Sequence, residues 1–397
     1  MRPAGTIRVP GFRGAGTACG IKKGGKTDLA LVVSDFPCVS DVVFTRNRVV
    51  AAPVAWGKSL RDRSALRGVI VNSGNANACT GKEGLAAVRK TVDAACAALG
   101  LARNSLLVSS TGVIGVPLPA SLIAAALPGL CSSLSAGGIA RAGDAILTTD
   151  AYPKRGIRRI SVRGGRITLG GIAKGAGMIS PDMGTMLAYV FTDASVRPAD
   201  LRRTFRDAVD RTFNRIVVDG DTSTNDTAAV FANGACGRPP LAGRDLAAFS
   251  ESLRSLLLDL ALMIVRDGEG ATRVVRVAVT GAASERDAIL AARAVSTSPL
   301  VKTAVYGADP NWGRVVAAIG RSGARVDPKR VELALAGEKV LRRGMEIDRE
   351  AERRAAPKIR KEAYGIEVSL GLGAGSHYLY FSDLNQHYVR INAGYRT

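Results

Sequence analysis

Short apolar runs, rich in β-branched residues, alternate with amphipathic segments along most of this chain. The run 68–71 leads through a polar stretch, 72–77, into a segment where Leu85, Val88 and Val92 recur at helical spacing. Such strands and one-sided helices are stable only when sheet faces and helix faces pack together in layers. The alternation therefore predicts layered α/β or α+β packing rather than a simple doubly wound sheet, and it leaves the order of the strands open.

Local signals predict the other elements. Further helices are predicted over 199–213 and 245–265. Two helix starts carry cap pairs, Thr80 with Glu83 and Ser284 with Asp287, which suit the free backbone amides of a first helical turn. Strands are predicted at 186–191, 273–279, 315–319, 331–335, 366–370 and 378–381. No repeat or low-complexity linker separates these elements.

Composition excludes several classes of protein. The 397 residues are 47% hydrophobic and 22% charged, which is ordinary for a globular protein with two or three lobes. The longest apolar stretch, 256–265, is interrupted by Asp259 and is too short to cross a bilayer. The residues after Met1 form no apolar core of a secretory signal. We therefore expect a cytoplasmic protein without a membrane partner.

Cysteine and histidine usage argues against disulfide and metal sites. The six cysteines are scattered without a CxxC pair, and the chain has only two histidines. This pattern is typical of reduced, mostly buried thiols in a cytosolic enzyme, and a structural zinc site would need a tighter cluster of ligands. No metal is expected.

The net charge of +21 is the unusual bulk property. A basic protein suggests nucleic-acid binding. The basic residues are dispersed, however, apart from a cluster at 154–166 that has no interleaved aromatic side chains for base stacking. A basic, solvated surface is the favoured interpretation, and nucleic acid is not an expected partner.

The glycine-rich stretch 171–187 is the segment most informative about chemistry. Lys174 precedes the turn, and Gly184 is followed by Thr185 at the start of a predicted strand. A phosphate-binding loop would place its lysine after the glycines. If the Thr185 hydroxyl attacks the Gly184–Thr185 bond, Thr185 becomes an N-terminal residue. Its amine, with a pKa of about 7.7–8.0, can then act as base for its own hydroxyl. The alternatives are an ordinary strand residue at Thr185 and a solvated surface residue at Lys174.

Four further motifs and the C-terminus accompany this stretch. They read GVIVNSGNANACTG at 68–81, STGVIG at 110–115, VDGDTSTNDT at 218–227, DPNWGR at 309–314 and RINAGYRT at 390–397. In order, and over nearly the whole chain, they resemble the ornithine acetyltransferase family, also called glutamate N-acetyltransferases. The resemblance implies an αββα-type sandwich with a smaller C-terminal lobe. It also implies self-cleavage after Gly184 into an α chain, 1–184, and a β chain, 185–397, which assemble as an α2β2 heterotetramer.

The resemblance assigns roles to matching positions. Thr185 would be the nucleophile. Thr111 and Gly112 would form the oxyanion hole, where a hydroxyl and a backbone N–H approach the developing negative oxygen. By charge, Lys174 suits a substrate carboxylate and Glu269 a substrate amino group. The substrate-binding positions implied by the resemblance are Thr148, Lys174, Thr185, Glu269, Asn392 and Thr397.

Several of these residues have plainer interpretations when taken alone. Thr111 and Gly112 would form an ordinary turn, and Thr397 would be a frayed end. Gly184 departs from the family, which often has alanine there, and glycine leaves the scissile bond more conformational freedom. The acidic residues of 219–226 resemble a metal loop, but they lack the glutamate at the twelfth position of a calcium loop. A structural role is favoured for them.

The implied function is a ping-pong transfer in arginine biosynthesis. The acetyl group of N-acetylornithine would pass to glutamate through an acetylated Thr185, with no metal or organic cofactor. Some members of the family also use acetyl-CoA, and this sequence does not show whether this chain does. The alternatives are a related self-processing aminopeptidase or amidohydrolase, a basic nucleic-acid-binding protein, and an uncleaved, inactive homologue.

Overall fold

The computed structural model describes residues 5–60, 66–180 and 186–394. The helices in these ranges are α1 (Ala52–Ser59), α2 (Gly81–Ala98), α3 (Ala120–Ser132), α4 (Ile139–Ala145), α5 (Pro198–Asp210), α6 (Gly243–Arg266), α7 (Glu285–Ser296), α8 (Pro299–Gly307), α9 (Trp312–Gly320), α10 (Arg349–Ile359) and α11 (Gln386–Gly394). The strands are β1 (Phe12–Thr17), β2 (Leu29–Ser34), β3 (Val39–Phe44), β4 (Gly68–Asn75), β5 (Leu106–Val113), β6 (Lys154–Val162), β7 (Gly165–Lys174), β8 (Leu187–Thr192), β9 (Ile216–Val217), β10 (Thr227–Ala232), β11 (Val274–Ala282), β12 (Glu332–Leu335), β13 (Glu338–Arg342), β14 (Met345–Glu346), β15 (Ala363–Ser369) and β16 (Gly375–Ser382).

These strands form three mixed sheets. The first has the order β1-β2-β4-β5, the second β3-β10-β8-β7-β6, and the third β14-β13-β12-β15-β11-β16-β9. Each sheet holds a parallel pair beside antiparallel ones: β4 with β5, β8 with β10, and β11 with β15. The mixture excludes a doubly wound parallel sheet, as the sequence predicted.

The first and second sheets pack face to face. Their shared core is apolar and includes Val32 and Val71 from the first sheet and Tyr189 from the second. Aromatic rings fill the centre, because the Phe191 ring lies 5.6 Å from that of Phe231 and 5.3 Å from that of Phe12 between ring centroids. Face-to-face sheets need such interdigitated side chains to exclude water from the space between them.

Helices cover the outer faces of both sheets. On the first sheet, α2 and α3 bury the side chains that recur at helical spacing, such as Val88 and Val92. On the second sheet, α5 and α6 do the same with Leu201, Phe205 and Leu257. The order helix, sheet, sheet, helix confirms the predicted αββα sandwich.

A separate core occupies the C-terminal lobe. The third sheet packs against α7, α8, α9 and α10 around buried aliphatic side chains such as Val277, Val295 and Ile319. Its edge strand β9 comes from residues 216–217, because Ile216 lies opposite Tyr380 of β16. This smaller lobe was also predicted, and β9 ties it to the sandwich.

One predicted strand is wrong. Residues 315–319 lie inside helix α9, which begins after Asn311. The Asn311 side chain caps this helix by accepting a hydrogen bond from the Arg314 amide at 3.2 Å. A run of five apolar residues carries no period, so a strand and a buried helical turn look alike in sequence.

The two predicted cap pairs had different outcomes. Ser284 Oγ accepts the Asp287 amide at 3.1 Å, which confirms that cap. Thr80 makes no cap bond to α2 and donates instead to Asn77 Oδ1 at 2.8 Å, so the capping box there is wrong. Asn77, two residues after the end of β4, has a φ of +50° and accepts the Thr80 hydroxyl in place of a helix amide.

The thiols are free, but fewer are buried than predicted. Cys38 and Cys96 are buried, Cys79 is exposed, and the other three are partly buried. Among the residues that the structure describes, no helix is long and apolar enough to span a bilayer.

Candidate active site

A cavity of about 420 Å³ lies where the ends of β5 and β7 meet residues 219–225 and helix α11. Six of the predicted site residues line it: Thr111, Gly112, Thr148, Lys174, Glu269 and Asn392. The other three predicted residues, Gly184, Thr185 and Thr397, lie outside the described ranges. The fold thus brings together positions from five separate stretches of the chain.

Gly112 occupies a position that no other residue fits. In the β4–β5 pair it lies opposite Gly74, and its φ is +135°. A Cβ built there would lie 2.5 Å from the Asn75 amide nitrogen, so only glycine permits this approach of the two strands. The neighbouring Thr111 also lines the cavity. Thr111 and Gly112 therefore place a hydroxyl and a backbone amide at the end of β5 that borders the cavity.

Lys174 ends β7 as a buried cation. Its side chain is only 3% exposed, and its Nζ lies 3.9 Å from Asp150 Oδ2. Burial lowers the pKa of Lys174, while the Asp150 carboxylate opposes that shift. Burial would also raise the pKa of Asp150, but the charges of Lys174 and Lys154 outweigh it and hold that pKa well below its ordinary value. The site therefore contains an ionised carboxylate between two lysines.

Asp150 also holds two backbone segments that border the cavity. Its carboxylate accepts the Thr148 amide at 2.9 Å and the Gly175 amide at 2.7 Å. Thr148 and Lys174, which are far apart in sequence, are consequently held by one side chain. Asp150 was not predicted from the sequence, and no local pattern marks it, because it lies outside the helices and the amide of Gly175 that it binds is 25 residues away.

Lys154 corrects the interpretation of the basic cluster. Its side chain is fully buried, and it pairs with Asp150 at 2.5 Å and with Asp267. Arg155 and Arg158 of the same cluster pair with acidic residues of α4 and α6. A solvated surface is therefore wrong for Lys154. A buried charge survives only when it is paired, and here the pairing links the cavity wall to the end of α6.

Glu269 is fixed at the opposite wall. Its amide donates to the Ala176 carbonyl at 2.9 Å, and its Oε2 accepts the Asn392 side-chain amide at 2.8 Å. Gly177 makes this approach feasible, because a Cβ there would lie 2.6 Å from Oε2 of Glu269. Glu269 and Lys174 thus present opposite charges to the same cavity.

Helix α11 covers one side of the cavity through polar contacts. None of its described residues is buried. Asn392 contacts Glu269, and Asn385, just before the helix, donates to the Gly270 carbonyl at 2.6 Å. Tyr388 also lines the cavity, and burial raises its pKa to about 12.

The acidic stretch 219–226 forms the floor. Asp219 accepts the amides of Met178 at 2.5 Å and Ile179 at 2.9 Å. Asp226 accepts the Met186 amide at 2.9 Å. Burial raises the pKa of Asp219 to about 6 and that of Asp226 well above its ordinary value. Within the described ranges, no group of three or more His, Cys, Asp or Glu residues is placed to hold a metal ion.

The cavity suits a small molecule that carries both a carboxylate and an amino group. Its volume of about 420 Å³ is in the range of ordinary small-ligand sites. Lys174 and Glu269 supply the complementary charges, and the Gly112 end of β5 supplies hydrogen-bond donors.

The family model and the sequence relatives that match this chain all indicate the same family. The ArgJ family model matches residues 13–397. The arginine biosynthesis bifunctional protein ArgJ of Geobacter sulfurreducens is 47% identical, over 98% of this chain and 100% of its own length. The ArgJ protein of Thermus thermophilus is 46% identical, over 98% of this chain and 100% of its own.

Solved structures include two similar chains. ArgJ from Bacillus halodurans is 40% identical with a TM-score of 0.49, over 52% of this chain and 98% of its own. The ornithine acetyltransferase of Mycobacterium tuberculosis, complexed with ornithine, is 41% identical with a TM-score of 0.41, over 46% of this chain and 96% of its own.

Proposed function

This chain belongs to the ArgJ family, and from that premise we propose that it is an acetyltransferase of arginine biosynthesis that moves the acetyl group of N-acetylornithine to glutamate. One observation carries the proposal. Six positions that the family resemblance assigns to catalysis or substrate binding line a single cavity, although they are spread from Thr111 to Asn392. The name of the solved Mycobacterium tuberculosis relative supports ornithine as the leaving product.

The proposed chemistry has two half-reactions. After cleavage behind Gly184, the Thr185 Oγ attacks the acetyl carbonyl, and the Thr185 amine takes the hydroxyl proton. The Thr111 hydroxyl and the Gly112 amide stabilise the oxyanion. Ornithine leaves with the proton on its α-amine, and an acetyl ester remains on Thr185. The amine of glutamate then attacks that ester, which releases N-acetylglutamate and restores the Thr185 hydroxyl.

Substrate binding follows from charge. Lys174, an ammonium in a buried wall, receives a substrate carboxylate. Glu269 receives a substrate amino group, and Asn392 fixes its carboxylate. Thr148 and the C-terminal Thr397 complete the proposed set. The relatives are named bifunctional, which is the ground for testing acetyl-CoA as a second acetyl donor.

The proposal includes processing and assembly. An α chain, 1–184, and a β chain, 185–397, remain together and pair as an α2β2 heterotetramer in the cytoplasm. The β7–β8 register supports their association, because it runs unbroken from Leu169 opposite Thr192 to Lys174 opposite Leu187 across the expected break. No metal or organic cofactor takes part.

The decisive experiment compares the wild-type chain with Thr185→Ala. Intact mass and N-terminal sequencing should give two wild-type fragments, one beginning at Thr185, and a single chain for the variant. Transfer of acetyl from N-acetylornithine to glutamate should fall below detection in Thr185→Ala and persist in Thr303→Ala, a control at an exposed threonine of α8. If Thr185→Ala transfers acetyl at the wild-type rate, the proposal is refuted. If the wild-type chain releases acetate from N-acetylornithine when glutamate is absent, the hydrolase alternative is favoured.

A further inference from the structure

The acidic stretch 219–226 touches the chain on both sides of the expected cleavage point. Upstream, the Asp219 carboxylate accepts the amides of Met178 and Ile179, at 2.5 and 2.9 Å. Downstream, the Asp226 carboxylate accepts the amide of Met186 at 2.9 Å. Met186 is one peptide bond from Thr185. Two carboxylates seven residues apart therefore bind the described chain on both sides of residues 181–185.

The upstream contact holds a strained turn. Met178 has a φ of +58°, in the left-handed region that side chains other than glycine rarely adopt. Such a conformation persists only where its surroundings enforce it. Asp219 does so through two charge-assisted hydrogen bonds, and the Ile179 carbonyl accepts the Val218 amide at 2.9 Å. The backbone of Met178 and Ile179, just before the expected cleavage point, is therefore held in one conformation by residues 218 and 219.

The downstream contact is buried. Asp226 is only 1% exposed, and its Oδ2 has no hydrogen-bond partner among the described residues. The Met186 carbonyl accepts the Thr227 amide at 3.2 Å, so Met186 is bound on both its amide and its carbonyl. Met186, the first described residue after the expected cleavage point, is therefore held on both sides by residues 226 and 227.

We propose that Asp219 and Asp226 are positioning residues for self-cleavage, which hold the two flanks so that the Thr185 hydroxyl meets the Gly184 carbonyl. This inference rests on the proposed function. In the step that they assist, the Thr185 Oγ–Gly184 carbon bond forms and the Gly184–Thr185 amide bond breaks. The hydroxyl proton passes to the Thr185 nitrogen, and water then hydrolyses the ester to a Gly184 carboxylate and a free Thr185 hydroxyl.

Fixed flanks matter more in this chain because of Gly184. A glycine before the nucleophile samples more backbone conformations than alanine does. An intramolecular attack is fast only when the reacting atoms are held within reach, and a misplacement of about 1 Å can cost about 100-fold. The two carboxylates thus reduce the freedom that Gly184 introduces.

The test follows cleavage of newly made full-length chain by intact mass over time. Asp226→Ala and Asp219→Ala should each slow cleavage at least about tenfold. Asp226→Asn keeps an oxygen that can accept the Met186 amide, so it should cleave faster than Asp226→Ala. This rescue separates the hydrogen-bond acceptor from the negative charge, because both variants remove the charge and only Asp226→Asn keeps an acceptor oxygen.

Asp193 provides a matched control at the other end of β8. It is also buried, it accepts the Thr168 amide at 2.6 Å, and burial raises its pKa. Asp193→Ala should lower the temperature of unfolding yet cleave at the wild-type rate. The positioning role is refuted if folded Asp219→Ala and Asp226→Ala cleave like the wild type, or if Asp193→Ala slows cleavage equally. An uncleaved wild-type chain would refute self-cleavage itself.

Discussion

At the scale of single residues, the site depends on two glycines that leave no room for a side chain and on one buried lysine. A Cβ added at Gly112 or Gly177 would lie only 2.3 Å or 2.6 Å, respectively, from the nearest neighbouring atom. The Lys174 side chain is only 3% exposed, and the nearby Asp150 carboxylate offsets part of the free-energy cost of burying its charge.

Gly112→Ala should abolish acetyl transfer and destabilise the fold. An added Cβ would strike the β4 backbone at Asn75, and a φ of +135° strains any residue with a side chain. Transfer assays and thermal unfolding measure the two effects. Gly129→Ala on α3, where a Cβ meets nothing within 4 Å, serves as control and should leave both close to wild type. Wild-type transfer and stability in Gly112→Ala would show that the site does not require the close approach of β5 to β4 at this position.

Lys174→Met should reduce kcat/KM for N-acetylornithine by about 100-fold or more, since losing a buried charged partner costs about 2–5 kcal/mol. The loss should appear chiefly in KM if Lys174 binds the substrate carboxylate equally in the ground and transition states. Lys302→Met is the matched control, because Lys302 is 2% exposed and donates to the Ser382 carbonyl in the C-terminal lobe. Unchanged kinetics in Lys174→Met would contradict the assignment.

At the scale of elements, one strand serves both the core and the site. Strand β8 begins next to the expected nucleophile, pairs with β7 and β10, and places Phe191 between the two sheets. A rigid strand is a better support for a nucleophile than a loop would be.

Phe191→Ala should lower the free energy of unfolding by about 3–5 kcal/mol, through lost burial and an unfilled cavity between Phe12 and Phe231. Urea unfolding of the sandwich measures this change. Phe36→Ala, at a side chain that is 48% exposed, should cost less than about 1 kcal/mol. Equal losses in the two variants would mean that the space between the sheets is not the main core.

At the scale of the whole molecule, the second sheet contains strands from both sides of residue 184. Strands β3, β6 and β7 precede it, whereas β8 and β10 follow it. The core beneath this sheet likewise mixes side chains from the two segments, such as Leu169 with Val190 and Phe205.

Cleaved protein should therefore elute as one species in gel filtration and separate into two fragments only under denaturing conditions. Six registered residue pairs join β7 to β8, from Leu169 opposite Thr192 to Lys174 opposite Leu187. Thr185→Ala, as a single chain, should elute at the same volume. Separate elution of the fragments without denaturant would show that the shared sheet does not hold them.

The contact between sandwich and C-terminal lobe should weaken in mild acid. Burial, followed by the charge of Arg215, lowers the pKa of His377 from 6.5 to about 4. The unfolded chain therefore binds a proton before the folded one, so this stabilisation is present above pH 6.5 and is lost as the pH falls towards 4. His377→Asn should remove about 1–2 kcal/mol of that pH dependence, a figure reduced for partial exposure.

Urea unfolding at several pH values between 4 and 7.5 measures this dependence. The control is His387→Asn, at an exposed histidine of α11. An unchanged pH profile in His377→Asn would assign the acid sensitivity to other groups.

The sequence by itself determined the layered packing of helices and sheets and the order of the motifs. Through the family that those motifs resemble, it also predicted the αββα sandwich and six of the residues that line the cavity. Periodic hydrophobicity specifies which face of an element is buried, and long motifs specify a family. Only the tertiary structure decided that 315–319 is helical, that Lys154 is buried, and that Asp226 binds Met186. Lys154 and its partner Asp267 are 113 residues apart, and local patterns carry no information about partners at such separations. Such partners are set by tertiary packing, because a buried charge or amide is stable only when another group in the folded chain pairs with it.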